Sequence, residues 1–189
     1  MPSTNLVSNF TSAKSYVVNP LFVGVAWTDP TNALTSNSLA TSSGGGGVRT
    51  RLLGMRGLSG YLEIPDSATI TGFEIVIIMQ TVTSSGGNIT GYFTLVKATD
   101  SRVGTEKTQS VPTGSGSSYT LGASNDMWGT TWTAAEVKSS EFGVDVGFGL
   151  GSGSFSVGVE QVYAKIYYDY VDSTGRRGVF STVATLRTN

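Results

Sequence analysis

From Phe142 to Leu150 every second residue is apolar (Phe142, Val144, Val146, Phe148, Leu150), and the residues between them are Gly143, Asp145, Gly147 and Gly149. A period of two puts the two sets on opposite faces of a strand, so one face is an apolar stripe and the other is nearly bare backbone. Either a second element lies close against the bare face or the strand curves sharply there. The same period recurs along most of the chain, whereas helical spacing is almost absent, and this restricts the molecule to layered β architectures.

Residues 1–20 are polar, rich in Ser and Asn, and carry only scattered apolar side chains, including Leu6, Val7, Phe10 and Tyr16. They read as an extended arm that buries too little apolar surface by itself to offset the entropy of ordering it, and so is disordered or laid on a neighbour. Leu21 to Trp27 reads as the first strand, closed by the turn residues Asp29-Pro30, and Thr31 to Gly47 reads as a loop. The loop ends in four glycines, a mobile tip or a place where another backbone passes close. Leu58 to Ile64 reads as a strand ending at Pro65-Asp66. Ala68 to Val82 is apolar on both faces, with Phe73, Ile75, Ile77 and Met79 opposed by Val76 and Ile78, as in a central strand. Ser84 to Asn88 is a hairpin turn into a strand over Ile89 to Ala98. Thr105 to Val111 and Ser117 to Leu121 are short and polar, as edge strands are. Thr133 and Glu136 have the spacing of a capping box and predict one short helix. In the last long strand the apolar residues change from odd (Phe155, Val157, Val159) to even (Val162, Ala164, Ile166, Tyr168, Tyr170), which predicts a bulge near Glu160-Gln161. Asp172 to Gly178 is a turn, followed by a strand-like run from Val179 to Leu186. The fold expected is all-β, a jelly-roll-like β-sandwich of about eight to ten strands with one short helix and extended N- and C-terminal arms. The division expected is an arm over residues 1–20, a sandwich domain over 21–171 and a tail over 172–189.

Composition narrows the chemistry. The 189 residues include no Cys and no His. That removes thiolate metal sites, disulfides, cysteine nucleophiles, and the commonest general base and metal ligand. Charged residues make up 13% of the chain, against roughly 25% in ordinary soluble domains. Gly, Ser and Thr number 25 each, so hydroxyl groups and backbone supply most of the polar surface. A net charge of −1 gives no cationic footprint for nucleic acid or an anionic membrane. The longest apolar run, Ile75 to Met79, is far short of the roughly 20 residues that cross a bilayer, and residues 1–10 lack the basic and apolar regions of a signal peptide. The acids Asp29, Asp66, Asp126, Glu136, Asp145 and Glu160 lie in turns, caps or isolated strand positions and form no obvious catalytic pair. No serine has a lysine at the spacing a Ser-Lys mechanism needs, and no acidic run has calcium-loop spacing. The chain is expected to be no enzyme, and to use no cofactor and no metal.

Four stretches together resemble a known module. They are Trp27-Thr28-Asp29-Pro30-Thr31-Asn32-Ala33; Leu58 to Ile64 leading into Pro65-Asp66-Ser67-Ala68-Thr69-Ile70-Thr71-Gly72-Phe73; Trp128-Gly129-Thr130-Thr131-Trp132-Thr133 with Phe142-Gly143-Val144; and Val162 to Tyr168. In this order, over about residues 27 to 170, they are similar to a β-sandwich module of tailed-bacteriophage virion proteins, found in head decoration or cement proteins and in tail or fibre components. The resemblance implies a jelly-roll building block of a particle, without chemistry of its own, with Trp27, Asp29, Pro30, Asn32, Pro65, Trp128, Gly129 and Trp132 as structural positions.

On these grounds the expected function is that of a virion structural protein, a capsid decoration protein on the head surface that stabilises the shell across subunits. Its expected partners are the major capsid protein and copies of itself, a trimer before a dimer. Contact candidates are Leu6, Val7, Phe10 and Tyr16 in the arm and Arg176, Arg177, Val179, Phe180 and Arg187 in the tail. A sheet face carrying Tyr163, Tyr167 and Asp169 is a further possible contact. The alternative is a carbohydrate-binding tail or fibre module that recognises a host surface glycan through exposed aromatics. The tryptophans read either as core plugs or as sugar-stacking platforms.

Overall fold

The computed structural model describes residues 4–17, 21–35, 38–58, 64–98, 101–171, 177–178 and 182–183. Nine strands carry the fold: β1 (Thr4–Tyr16), β2 (Ala40–Gly45), β3 (Leu52–Leu58), β4 (Thr69–Ser84), β5 (Ile89–Ala98), β6 (Ser101–Val111), β7 (Ser117–Ala123), β8 (Gly143–Gly149) and β9 (Ser154–Val171). Two-residue strands β10 (Arg177–Gly178) and β11 (Thr182–Val183), a 3-10 turn over Pro30–Leu34 and the helix α1 (Ala134–Lys138) complete it.

The strands form a jelly-roll-like β-sandwich. The first sheet runs β1-β3-β8-β5-β6. The second is centred on β9, with β4 and then β7 on one side and β1 and β2 end to end on the other. These pairings are antiparallel; the short β11 pairs with β1 in parallel. Leu53, Met55, Phe93, Leu95, Val144, Val146 and Phe148 of the first sheet and Phe73, Ile75, Ile77, Met79, Val162, Ala164 and Ile166 of the second meet in one core. Each side chain of this size contributes about 1.5–3 kcal/mol when fully buried.

Several local expectations are met for the reasons given. β4 is central, paired with β9 and β7, and β6 and β7 end their sheets. The phase change in β9 is a bulge: Ile78 pairs with Gln161 but Met79 with Val159, leaving Glu160 over, and β4 answers by leaving out Gln80. The amide of Gln80 donates to the carboxylate of Glu160, so the two unpaired residues hold each other. Thr133 caps α1 as a capping box, with its Oγ1 accepting from Glu136 N at 3.1 Å and the Glu136 carboxylate accepting from Thr133 N at 2.8 Å.

Three expectations are corrected. Leu21 to Trp27 is not a sheet strand but an irregular strap with a turn at Leu21 and bends at Phe22 and Gly24, joined to residues 49–51 by Gly24 N to Arg49 O (3.0 Å) and Arg51 N to Val25 O (3.2 Å). The loop expected over Thr31 to Gly47 contains β2, which pairs with β9 through Gly44 and Gly45. Two of its four glycines fit close approach, since a Cβ on Gly46 would lie 2.7 Å from the Ser152 backbone and one on Gly44 2.5 Å from the Phe155 ring, whereas Gly45 and Gly47 have open space beside them. Finally, the N-terminal segment is extended but lies on its own chain. Thr4 to Asn9 pairs with β9 and Phe10 to Tyr16 with β3, so β1 passes from one sheet to the other and closes one side of the sandwich. Backbone hydrogen bonds offset its ordering entropy where scattered apolar side chains could not. The tail also folds back, through β10 on β9 and β11 on β1. Of the strand expected over Leu58 to Ile64, Leu58 closes β3 and residues 59–63 lie outside the described residues.

Candidate functional site

The bare face of β8 is covered by side chains lying flat on it. A Cβ on Gly147 would sit 2.4 Å from the Phe22 ring, one on Gly54 2.4 Å from the Tyr16 ring, and one on Gly143 1.9 Å from Met55 O and 2.9 Å from Arg56 Cδ. Glycine in β3 and β8 therefore makes room for a third layer, formed by Tyr16, Arg56, the strap residue Phe22 and Arg49 over Gly149.

Within that layer a polar belt crosses every strand of the first sheet. Asp145 of β8 is fully buried. Its Oδ1 accepts from Tyr16 OH of β1 at 2.5 Å and meets Arg56 Nη2 of β3 at 2.8 Å. On the far side Arg102 of β6 lies 3.6 Å from Asp145 Oδ2 and donates to Thr94 Oγ1 of β5 at 2.5 Å. Arg102 also pairs with Glu106 at 2.9 Å, and Glu106 with Arg49 at 3.3 Å. Burial, the largest influence, pushes the Asp145 carboxyl above its usual range against the pull of Arg56. Burial and then Asp145 push the Tyr16 phenol far above its ordinary value. Alternating charges compensate one another along the belt, at its Arg56–Asp145 end out of reach of water, which links the strands. The sequence showed Asp145 as an isolated strand carboxylate. The available signal was a carboxylate on the glycine face of an otherwise apolar strand.

Three more of the acids are partnered. Asp126 meets Lys107 at 2.6 Å, Glu136 meets Lys97 at 3.0 Å, and Asp66 meets Lys138. Burial opposes ionisation of Asp126 and Glu136, but hydrogen bonds from Lys107 and Trp128 N to the first, and from Thr133 N and Lys97 to the second, hold both below the usual carboxylate range.

The strap presents the opposite character outward. Phe22 is fully buried, whereas Leu21, Val23 and Val25 are 58%, 52% and 52% exposed. Of the six large exposed hydrophobic residues described, five (Val17, Leu21, Val23, Val25 and Val48) belong to the strap or to segments beside it. The strap is rigidly placed: Phe22 fills the space over Gly147, Ser42 Oγ donates to Val25 O at 3.0 Å, Trp27 N donates to Ser15 Oγ at 2.9 Å and Trp27 Nε1 to Arg51 O at 2.7 Å.

The contact candidates distribute differently from expectation. Phe10 is buried in the chain's own core and Tyr16 belongs to the belt, so both are corrected from partner contacts to internal ones. Leu6 and Val7 lie in β1, opposite Ile166 and Lys165 of β9 and Thr182 and Val183 of β11. Arg177 pairs with Val171 in β10. Arg176, Val179, Phe180 and Arg187 lie outside the described residues. On the outer face of the second sheet Tyr163 is half-buried opposite Val76, Tyr167 is buried, and Asp169 is exposed. Between the tyrosines Glu74 meets Lys165 at 3.2 Å and, as its hydrogen-bond acceptor, holds that ammonium above the usual lysine range.

The positions marked by the resemblance all lie among the described residues. Trp27, Trp128 and Trp132 are buried, each with its indole N–H on a backbone carbonyl, those of Arg51, Phe73 and Met127. Trp132 packs on Phe73 and Phe142 with ring centroids 5.0 and 5.4 Å away. These are core plugs rather than stacking platforms. Trp128 and Gly129 both have positive φ (55° and 73°); Trp128 N donates to Asp126 Oδ1 at 2.9 Å, and Thr105 leaves no room for a Cβ on Gly129. Asp29, at φ 48°, precedes Pro30 in the 3-10 turn, and the Asn32 amide donates to Leu39 O at 3.0 Å. Pro65 opens a turn whose carbonyl accepts from Ala68 N at 3.0 Å.

No family model and no curated protein matches the chain. Among solved structures, a CBM35 from Cellvibrio japonicus is similar at 13% identity, with a TM-score of 0.30, over 95% of this chain and 99% of that one. A structure of the IBDV viral particle is similar at 10% identity and a TM-score of 0.21, over 95% of this chain and 36% of that one. At these scores neither likeness bears on function.

Proposed function

We propose that this chain is a structural protein of a tailed-phage virion, a decoration protein on the head surface that works by adhesion and performs no catalysis. The observation that carries the reading is the exposed aliphatic ridge Leu21-Val23-Val25 on a strap fixed by a buried ring and the five hydrogen bonds above. Holding large apolar side chains in water is unfavourable for an isolated molecule. A patch of this kind marks an interaction surface, and its fixed backbone lowers the entropy lost on binding. Repeated shell sites would strengthen weak contacts by avidity, and three-fold positions would suit a trimer. Co-sedimentation of the purified chain with shells that lack it tests the reading: saturable binding is expected, and no binding overturns it.

A second reading, a carbohydrate-binding tail or fibre module, draws on the half-buried Tyr163 beside the Lys165–Glu74 pair and Gln161 on the outer face of β9. A glycan array on which Tyr163→Ala abolishes the hits would favour it over the shell.

A further inference from the structure

The reading above leaves open what the ridge docks on, and the charge beside it is informative. Arg51 is exposed, and its backbone is bound to the strap on both sides, its N–H to Val25 O and its carbonyl to the indole of Trp27. Among the described residues no carboxylate pairs with its guanidinium. The neighbouring Arg49 differs, being engaged with Glu106 and stacked 3.4 Å from the centre of the Tyr92 ring. Lys14, on the same outer face as Tyr16, is exposed but engaged, its ammonium 4.7 Å from the centre of the Tyr16 ring, so the cation beside the ridge is Arg51. The ridge is thus aliphatic at its centre and cationic at its margin.

We infer that Leu21, Val23, Val25 and Arg51 form a docking surface for a protein that offers a shallow apolar groove with a carboxylate on its wall; on the functional reading above, from which this follows, that protein is the subunit of the shell. Alternation of burial supplies the shape, because Phe22 and Gly24 lie against the sheet side and the three aliphatic side chains are exposed. Charge supplies the orientation. A planar guanidinium takes a carboxylate by two parallel hydrogen bonds, and Arg is enriched among the residues that dominate interface energies. A second copy of this chain is the poorer occupant, because stacking ridge on ridge would bring like cations together. The exposed aliphatic area, roughly a few hundred Å², is the size of the apolar centre of an interface burying about 800 Å² per partner.

The test is co-sedimentation of full-length chain with shells assembled from the major capsid protein of the same particle, at low and high salt. Val23→Ser with Val25→Ser, and separately Arg51→Glu, should each weaken binding at least tenfold, and Arg51→Gln should flatten its salt dependence. All of these side chains are exposed, so thermal midpoints should match the wild type, which separates lost docking from lost folding. Wild-type binding that survives both changes overturns the docking surface and leaves the virion reading standing. Failure of the wild type to bind overturns the virion reading and this inference with it. A solution mass that drops on ridge substitution assigns the ridge to self-association and overturns the inference alone.

Discussion

At the scale of single residues, the glycines of β8 and β3 are packing positions, and their neighbours decide how a substitution behaves. A methyl on Gly143 would meet the Met55 carbonyl at 1.9 Å, and that backbone belongs to the paired strand and cannot withdraw. Gly143→Ala is expected to lose about 3 kcal/mol or more, at the upper end of overpacking costs. Gly151→Ala, with nothing within 4 Å of its Cβ, is expected to stay within about 0.5 kcal/mol of the wild type. Urea unfolding of the pair measures the contrast. The capping box gives a second case: Thr133→Ala should cost about 1 kcal/mol by the same measurement, since Glu136 N loses its acceptor.

At the scale of elements, what was legible in the sequence follows from how locally each signal is written. The alternation from Phe142 to Leu150, the parity change at Glu160 and the Thr133–Glu136 pair are all complete within a few residues, and each produced its element. β1 was not legible. Its Ser8, Asn9 and Ser12 interrupt any apolar stripe, and it is held by main-chain pairs to strands about 40 and 160 residues away in the chain, which leave no local trace. The belt escaped for the same reason, as Tyr16 and Asp145 are 129 residues apart. The Leu-x-Val-x-Val pattern of the strap specifies which side chains alternate but not whether the backbone is paired in a sheet. These tertiary ties make predictions of their own. Asp145→Ala leaves Arg56 buried beside an empty position and is expected to cost about 3–5 kcal/mol. Tyr16→Phe keeps the ion pair and should cost about 1–3 kcal/mol. Amide hydrogen exchange should show the Tyr16→Phe loss concentrated in residues 10–16, and uniform loss across both sheets would contradict the assignment of Tyr16 as the tie for β1.

At the scale of the whole molecule, acid acts through the surface carboxylates. Asp126 and Glu136 ionise in the folded chain at lower pH than the unfolded values of about 3.9 and 4.3. Their stabilisation is therefore complete above those unfolded values and disappears as pH falls through the lower folded ones. The stability gap between wild type and the Asp126→Asn, Glu136→Gln double variant should be present at pH 7 and narrow steadily as pH falls below the unfolded values, measured from denaturant midpoints. A gap of constant size would show that the two groups act through packing and not through charge.

Because β1 belongs to both sheets, its six pairs with β3 and six with β9 stand in series along a single strand. Tension applied along that strand acts on each hydrogen-bonded ladder in shear, parallel to the strands, where many bonds must fail together and cannot be unzipped one at a time. A molecule fastened this way resists pulling at its first strand far better than its modest share of apolar residues suggests.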